Sequence, residues 1–408
     1  MKRTLITNIG MLATPQGTAA RGGRAQGEIC ILKNAWILIE NDVIAQVGTG
    51  AAPAAADAQT INAGGKLVTP GLVDAHTHLI FGGWRQNELA LKLHGAGYLD
   101  ILAAGGGILS TMRATQSASE EQLEAKASAA LDEMLRFGTT TAEAKSGYGL
   151  STGEECKALR VIGKLQKHHV MDLAATFMGA HAVPELYRDN RQGYLELLCE
   201  EMLPAVQEQG IAEFCDVFCE KGVFSAEESR RILLTGRQYG LRPKIHADEI
   251  EAIGGSELAG EIGAVSAEHL IVCPPSGIAS MARGGTVACC LPATSFYLGA
   301  AYAPVQDMVQ AGVPVAMATD FNPGSCPCLN MQLVISLGCL RYRLTPEQAL
   351  TAVTLNGAAA ICRADRIGSI EPGKQADILI WNAEDLDYIC YRLGSNLVDT
   401  VIKKGNVV

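Results

Sequence analysis

The sequence predicts an α/β fold: a closed (β/α)8 barrel of the TIM type, with a small β-sandwich domain built from both chain ends. Between residues 70 and 361, short apolar or β-branched runs alternate with amphipathic helices, a pattern typical of a parallel sheet with helical crossovers. Eight such runs fit one barrel with insertions. The two chain ends carry only short alternating runs. We therefore place the barrel at 69–368 and the composite β-domain at 1–68 and 369–408.

The eight predicted barrel strands are apolar runs that end in polar residues or glycine. They are GLVDAHTH, GTTTAEAKSG, DLAATFMGAH, AEFCDVFCEKG, RPKIHAD, GAVSAEHL, GTVACCLP and VPVAMATDFNPG. Helix-start signals lie between them: Ser119 and Ser225 have capping-box spacing, and Pro346 stands at a first helical position. The long insertion after the first strand contains Gly105–Gly107, which lacks the Lys-Ser/Thr of a phosphate loop. We interpret it as a lid or turn over the barrel mouth.

Short alternating runs at both ends of the chain predict the second domain. TLITNIGML, AWILIENDVIAQVG and GKLVTP come before the barrel, and IGSIEPGKQADILIW and DTVIKKGNVV come after it. Neither end is large enough for a core of its own, and the ends of a barrel lie close together. One joint β-domain is therefore favoured over two separate flanking hairpins, because isolated hairpins are marginally stable.

The composition and the N-terminal sequence argue against three classes of protein: nucleic-acid binders, membrane-spanning proteins and secreted proteins. A net charge of −10 disfavours nucleic-acid binding, and no apolar run reaches the ~18–20 residues of a membrane span. The N-terminal apolar stretch is broken by polar residues, which disfavours a secretory signal. The 13 cysteines are odd in number and scattered through apolar segments, as expected for thiols in a reducing compartment. We expect a cytoplasmic protein that acts on a small molecule.

The histidines are concentrated at one end of the predicted barrel. Five of the eight lie at or just after strand carboxyl ends, where the eighth strand also places Asp320; they are His76, His78, His181, His246 and His269. Active sites of (β/α)8 barrels lie at this face. Five buried core histidines would have to share this rim by chance, so a functional site is favoured.

A metal site follows from the residue types. Residues i and i+2 of a strand point to the same side, so His76 and His78 can place two imidazole nitrogens on one ion. His246 and Asp320 approach from across the barrel and complete three nitrogen donors and one carboxylate. This set suits zinc or iron and leaves a position for water. We predict one divalent or trivalent metal ion per chain.

The segments PGLVDAHTH, IHADE, AEHL and ATDFNPGS, together with the composite β-domain, resemble the amidohydrolase superfamily of metal-dependent hydrolases. HTHLIFGGWRQNE, AEAKSGYGL, TFMGAHAVP, FCDVFCEKGVFS and ATDFNPGSCP are similar to one family within it, the imidazolonepropionases of histidine degradation. The similarity spans essentially the whole chain. It implies that a zinc or iron ion is held by His76, His78, His246 and Asp320, and that the chain forms a homodimer.

The resemblance implies hydrolysis of the cyclic amide of 4-imidazolone-5-propanoate to N-formimidoyl-L-glutamate. Glu249, three residues after His246, is expected to take a proton from water and give it to the leaving nitrogen. Asp320 is the competing base, and the choice between the two stays open, with Glu249 favoured. His269 is expected to polarise the carbonyl and to stabilise the oxyanion.

The propanoate tail of that substrate calls for a cation. Arg85 fits because its planar fork matches a carboxylate better than an ammonium does. Gly324 is expected to allow close backbone approach, with its amide available to the ligand. By resemblance, further residues line the substrate site beside Arg85 and Gly324: Tyr148, His181, Glu249, Asn322 and Ser325.

Three alternatives are weighed against this interpretation. A related deaminase acting on a nucleobase-like ring would release ammonia and would not need Arg85. A dihydroorotase- or hydantoinase-like cyclic amidase would use a carboxylated lysine, for which Lys221 and Lys145 are the candidates; we expect both to be ion-paired instead, with Glu220 and Glu143. A non-catalytic barrel would require an incomplete ligand set.

Overall fold

The structure, a computed structural model, describes residues 2–54, 57–94 and 106–408. Its centre is an eight-stranded parallel sheet in which each strand pairs with the next in chain order. The strands are Leu72–Asp74, Thr139–Lys145, Asp172–Ala180, Phe214–Cys219, Arg242–Ala247, Ser266–His269, Val287–Cys290 and Val315–Met317. Each lies within one of the eight predicted runs, so the predicted barrel is confirmed.

The barrel closes between its first and eighth strands. Thr77 and Phe321 form a parallel bridge, the amide of His78 donates to the carbonyl of Phe321 at 2.9 Å, and the amide of Asp320 donates to the carbonyl of His76 at 3.1 Å. These bonds set His76 and His78 beside Asp320 at the carboxyl rim.

Helices follow each barrel strand in the described residues. Ser119, Ser225 and Thr345 each cap a helix with a complete capping box, as the sequence predicts for the first two, and Pro346 opens its helix as expected. The α-helices are Leu89–Leu93, Ile108–Ser117, Glu120–Arg136, Thr152–His168, Arg191–Glu196, Leu203–Gln209, Ala226–Gln238, Gly255–Glu261, Pro275–Gly284, Pro292–Leu298, Val305–Gln310, Met331–Tyr342, Pro346–Val353, Leu355–Ala360 and Leu386–Tyr391. The described ranges also contain a π-helical segment, Leu197–Met202, and three short 3-10 turns, Gly23–Gly27, Gln86–Glu88 and Glu185–Tyr187.

Both chain ends contribute to a second, mixed eight-stranded sheet, as predicted. Its strands are Arg3–Thr14, Cys30–Glu40, Val43–Thr49, Gln59–Asn62, Leu67–Pro70, Ile378–Trp381, Val398–Lys403 and Asn406–Val407. An isoleucine-rich cluster that includes Ile6, Ile37 and Ile378 forms its core. We propose the division at 1–68 with 369–408 and at 69–368; one strand, Leu67–Pro70, spans the first boundary.

A partly buried ionic contact connects the barrel to the mixed sheet. Asp172, at the start of the third barrel strand, accepts from Lys403 Nζ at 2.8 Å and from Lys404 Nζ at 2.6 Å. The Lys403 side chain is fully buried, whereas the Asp172 side chain is 35% exposed. The contact therefore holds the C-terminal strand against the barrel.

The sequence also made predictions about the Gly105–Gly107 segment, the cysteines and membrane-spanning helices. Gly105 lies outside the described residues, and Gly107, with φ +73°, begins the helix Ile108–Ser117, so the lid interpretation stays a prediction. All 13 cysteines are free thiols. Within the described part of the chain, no helix has the length and apolar character needed to cross a membrane.

Candidate metal centre and active site

The four predicted metal ligands converge at the carboxyl rim of the barrel. His76 Nε2 and His78 Nε2 lie 3.4 Å and 3.5 Å from Asp320 Oδ1, and His246 Nε2 lies 3.3 Å from His78 Nε2. All four side chains are buried. Residues far apart in the chain therefore point three imidazole nitrogens and one carboxylate oxygen at a common centre.

Three buried atoms of this cluster have no hydrogen-bond partner among the described residues: His76 Nε2, His78 Nδ1 and Asp320 Oδ1. His76 Nε2 and Asp320 Oδ1 are the two of them that lie at the common centre. Buried polar atoms are nearly always paired, and a cation placed among these donors would satisfy both atoms. Three imidazole nitrogens with one carboxylate are a suitable donor set for zinc or iron. The residues present therefore fit a metal ion.

His269 lies at the same centre. Ligand atoms of His76, His246 and His269 fall within 4.8 Å of one another, so His269 is also within reach of an ion held there. His269 and Asp320 both have positive φ, +67° and +57°, a conformation that residues other than glycine rarely adopt. Such conformations are concentrated at functional sites, and here they turn two side chains at the ends of their strands.

Two carboxylates that the sequence analysis missed orient the histidines. Glu268 Oε2 lies 2.9 Å from His76 Nδ1, and Asp216 Oδ1 lies 3.1 Å from His246 Nδ1. Burial alone would raise the pKa of Asp216, but His246 and Lys145 lower it well below its usual value. An ionised carboxylate holds a proton on Nδ1 and leaves Nε2 to face the centre. The sequence did contain a signal for these two residues: each is an acidic residue inside an apolar strand, and a charged residue buried there needs a partner.

Two buried lysines hold these carboxylates in turn. Lys145 Nζ donates to Glu143 Oε1 at 2.8 Å and to Asp216 Oδ2 at 2.7 Å. Lys244 Nζ lies 2.9 Å from Glu143 Oε2 and 3.5 Å from Glu268 Oε1. All five side chains are fully buried. The barrel interior therefore contains one ionic network that reaches two of the candidate metal ligands.

Lys145 and Lys221 both pair with carboxylates, but only Lys145 pairs with the expected one. Lys145 pairs with Glu143 as expected, but the pairing of Lys221 with Glu220 is wrong. Lys221 is 67% exposed and pairs with Glu251 at 2.8 Å. Glu220 is buried, and its carboxylate accepts from the backbone amides of Lys221, Ile250 and Glu251 instead. Both lysines are therefore engaged with carboxylates.

Two carboxyl groups near the centre, those of Glu249 and Asp320, are candidates for the group that accepts and then donates a proton. Desolvation raises the pKa of Glu249 to about 7, and its Oε1 lies 3.7 Å from His269 Nδ1. Burial also raises the pKa of Asp320, whose Oδ2 accepts from Thr294 Oγ1 at 2.7 Å. A carboxyl with a pKa near 7 is suited to act as base and then as acid at neutral pH.

Four of the histidines at the rim, His76, His78, His181 and His269, are neutral near pH 7. Burial lowers the pKa of His269 to about 4 and that of His181 to about 3. It also lowers the pKa values of His76 and His78 well below their usual range. A neutral imidazole has a lone pair for a metal, and its other nitrogen carries a proton for a hydrogen bond.

Tyr148 and His181 lie beside the cluster. The His181 ring stacks on His78 with centroids 4.8 Å apart, and Tyr148 lies 5.1 Å from His181. The loop that carries Tyr148 is held by Glu155, a residue the sequence analysis missed. Its buried carboxylate accepts from the amides of Gly147, Gly149 and Leu150 at 3.0, 2.8 and 2.8 Å.

Asn322, Gly324 and Ser325 form a tight turn after the eighth strand. Asn322 Oδ1 accepts from the amide of Gly324 at 2.8 Å and from that of Ser325 at 2.7 Å. The expectation that the Gly324 amide is available to a ligand is therefore wrong, because Asn322 already occupies it. The close approach is real, but to Arg85: a Cβ on Gly324 would overlap the guanidinium.

Arg85 lies at this turn with its charge already paired. Its Nε and Nη2 each lie 2.9 Å from a carboxylate oxygen of Glu88, a buried residue that the sequence analysis did not single out. The Arg85 side chain is 13% exposed. The structure therefore brings every predicted site residue to the rim and adds acidic partners behind several of them.

Comparison with known proteins decides the family. The amidohydrolase family model matches residues 67–408. Imidazolonepropionase of Alkaliphilus metalliredigens (strain QYMF) is 50% identical over 414 residues, covering 100% of this chain and 98% of the relative. The chain belongs to the imidazolonepropionase family of amidohydrolases. A second relative in this family, imidazolonepropionase of Bacillus cereus (strain G9842), is 48% identical over 410 residues, covering 100% and 97% of the two chains.

Solved amidohydrolase structures share the fold of this imidazolonepropionase-family chain. An atrazine chlorohydrolase from Arthrobacter aurescens TC1, complexed with zinc, superposes with a TM-score of 0.72 at 18% identity, covering 99% and 94% of the chains. An adenosine deaminase from Xanthomonas campestris with bound zinc gives 0.71 at 20% identity, covering 99% and 92%. At these identities the likeness shows only the shared architecture of barrel and mixed sheet. The more similar relatives, at about 50% identity, show that the chain is a hydrolase of carbon–nitrogen bonds.

Proposed function

We propose that the protein opens the ring of 4-imidazolone-5-propanoate by hydrolysis and releases N-formimidoyl-L-glutamate in histidine degradation. The observation that carries the proposal is the convergence of His76, His78, His246 and Asp320 at one rim, with Glu249 Oε1 3.7 Å from His269 Nδ1. About half of the residues are identical to imidazolonepropionases over the full length of the chain.

His76, His78, His246 and Asp320 would hold one zinc or iron ion per chain. When bound, the ion would supply Lewis acidity, which lowers the pKa of water and so makes hydroxide available as a nucleophile near neutral pH. The orphaned His76 Nε2 and Asp320 Oδ1 support this assignment. The outer carboxylates Glu268 and Asp216 keep the imidazoles of His76 and His246 aimed at the centre.

Glu249 moves the proton in this proposal. The oxygen of water adds to the ring carbonyl carbon, and one of its protons passes to the Glu249 carboxylate. When the ring C–N bond breaks, Glu249 returns that proton to the leaving nitrogen. Its pKa of about 7 suits both steps. Asp320 is the competing base, because it is buried at the same centre with a raised pKa.

The remaining residues bind the substrate and its developing charge. His269, neutral at pH 7, would donate to the carbonyl oxygen as negative charge grows there. Arg85 pairs with the propanoate tail. The pocket wall is assigned to the residues around these two: Tyr148, His181, Glu249, Asn322, Gly324 and Ser325.

Turnover of imidazolone propanoate tests the proposal. We expect the ring absorbance to fall with stoichiometric N-formimidoyl-L-glutamate and without ammonia. Ammonia release from a panel of nucleobase-like rings would indicate the deaminase instead. Faster opening of dihydroorotate or a hydantoin would indicate another cyclic amidase.

We further propose a homodimer in the cytoplasm. The 13 free thiols support a reducing compartment. Sedimentation velocity on the purified protein tests the dimer, and a species of about 43 kDa, the mass of one chain, would contradict it.

A further inference from the structure

Arg85 and Glu88 form a two-point contact inside the protein. Nε of Arg85 donates to Oε1 of Glu88 and Nη2 donates to Oε2, each at 2.9 Å. Oε1 of Glu88 also accepts from the amide of Gly107 at 2.7 Å. The side chains of Arg85 and Glu88 are 13% and 3% exposed. Glu88 therefore fixes the guanidinium from one side and is itself fixed by the backbone.

A guanidinium offers two forks to a carboxylate, one made by Nε with Nη2 and one made by Nη1 with Nη2. Glu88 occupies the first fork. Nη1 of the second fork packs against Gly324, where a Cβ would lie only 2.1 Å from Nη1. Glycine at 324 thus lets the guanidinium reach the turn that follows Asp320.

Tyr148 is a pocket residue on which the charge of Arg85 acts. Burial raises the pKa of the Tyr148 hydroxyl, and the charge of Arg85 opposes that rise. Tyr148 in turn lies beside His181 and His78. The charge of Arg85 therefore acts on a residue whose ring lies beside the candidate metal ligand His78.

We propose that Glu88 is a positioning residue for substrate specificity: it holds Arg85 so that the Nη1–Nη2 fork alone receives the substrate's carboxylate. This inference rests on the proposed function. Because Glu88 already balances the charge of Arg85, the pocket selects the tail by the direction and distance of the fork more than by net charge. A carboxylate at a different distance from the ring would miss the fork.

Glu88→Gln tests this proposal with little change in shape. The amide nitrogen of glutamine cannot accept from Arg85, so one arm of the contact is lost and the fork is released. We expect KM for imidazolone propanoate to rise about tenfold or more, with kcat within about twofold of the wild type. Turnover of 4-imidazolone lacking the propanoate tail should not change. An unchanged or lower KM would overturn the proposal, because it would show that binding of the substrate's carboxylate does not depend on the contact between Glu88 and Arg85.

A matched control and a double-mutant cycle separate positioning from folding. Glu185 also pairs with an arginine three residues away at a 3-10 turn, Arg188, but on the exposed surface. We expect Glu185→Gln to leave KM unchanged. In an Arg85→Lys background, which lacks the fork, Glu88→Gln should add less than about twofold to KM. An equal tenfold effect in that background would show that Glu88 acts independently of Arg85 and overturn the proposal. A wild-type protein that does not turn over imidazolone propanoate would overturn the proposed function, and this inference with it.

Discussion

His246 Nδ1 lies 3.1 Å from Asp216 Oδ1, and this contact decides which nitrogen of the ring faces the candidate metal centre. Asp216 is in turn bound to Lys145 Nζ at 2.7 Å. The orientation of one candidate ligand therefore depends on a buried ionic network that begins on two other barrel strands. Partners of this kind typically contribute 10–100-fold to metal affinity.

Asp216→Asn should therefore weaken metal binding by about 10–100-fold, since an amide no longer carries the charge that holds the Nδ1 proton and pairs with Lys145. Competition with a chromophoric chelator for zinc measures the affinity without relying on turnover. Asp189→Asn, a change at an exposed aspartate, is the control. Equal zinc affinity in Asp216→Asn and the control would contradict the role of Asp216.

Arg85→Ala should cost about 2–4 kcal/mol in kcat/KM on imidazolone propanoate, because a largely buried charged hydrogen bond to the substrate is lost. The loss should appear mostly in KM, which steady-state kinetics separates from kcat. Arg188→Ala, at an exposed arginine, serves as the control. Unchanged KM and kcat in Arg85→Ala would remove Arg85 from the substrate site.

Glu249 should set the acid side of the pH profile. With its pKa raised to about 7, Glu249 is a carboxylate above that pH and becomes protonated below it, so kcat/KM should fall as pH drops through about 7. Glu249→Gln should remove this limb and lower kcat by about 10²–10⁴-fold. A variant that keeps most activity and the same acid limb would assign the base to Asp320.

Asp172 should make stability depend on acid pH. Burial opposes ionisation of Asp172, but Lys403 and Lys404 lower its pKa to about 2, below the ordinary aspartate value of 3.8. A depressed carboxyl pKa stabilises the fold above the unfolded value, and this stability is lost as pH falls from about 4 towards 2. Asp172→Asn should lose about 1 kcal/mol at pH 7, a figure reduced for partial exposure, and the difference should shrink at pH 3.

Urea unfolding at pH 7 and pH 3 measures this dependence. Asp57→Asn, which removes one partner of an exposed pair with Arg3, should change the free energy of unfolding by only a few tenths of a kcal/mol. A loss in Asp172→Asn that is the same at both pH values would contradict the linkage to Asp172.

Local patterns predicted the barrel and the residues on its rim. Apolar runs mark each strand, and a histidine or aspartate at a strand end must lie at the shared rim whatever the packing is elsewhere. His76, His246 and Asp320 could be brought together on this basis alone. Their convergence depends on topology, which the alternation of strands and helices already specifies.

The acidic partners behind the site could not be predicted in the same way. Glu268 reaches His76 from a strand 192 positions away in the chain, and no local spacing encodes that pairing. For Lys221 the error was to expect a pair with its neighbour in sequence. The carboxylate of that neighbour, Glu220, accepts hydrogen bonds from backbone amides instead. The amide of Gly324 was misjudged because a side chain two residues earlier, Asn322, folds back onto it.

Metal content with reconstitution tests the central claim most directly. After exhaustive chelation, the protein should hold no metal and no activity, and titration with zinc or iron(II) should restore activity with an end point at one equivalent per chain. His76→Ala and His246→Ala should bind zinc far more weakly in the same titration. An end point at two equivalents, or full activity in the metal-free protein, would contradict a single-ion site built from His76, His78, His246 and Asp320.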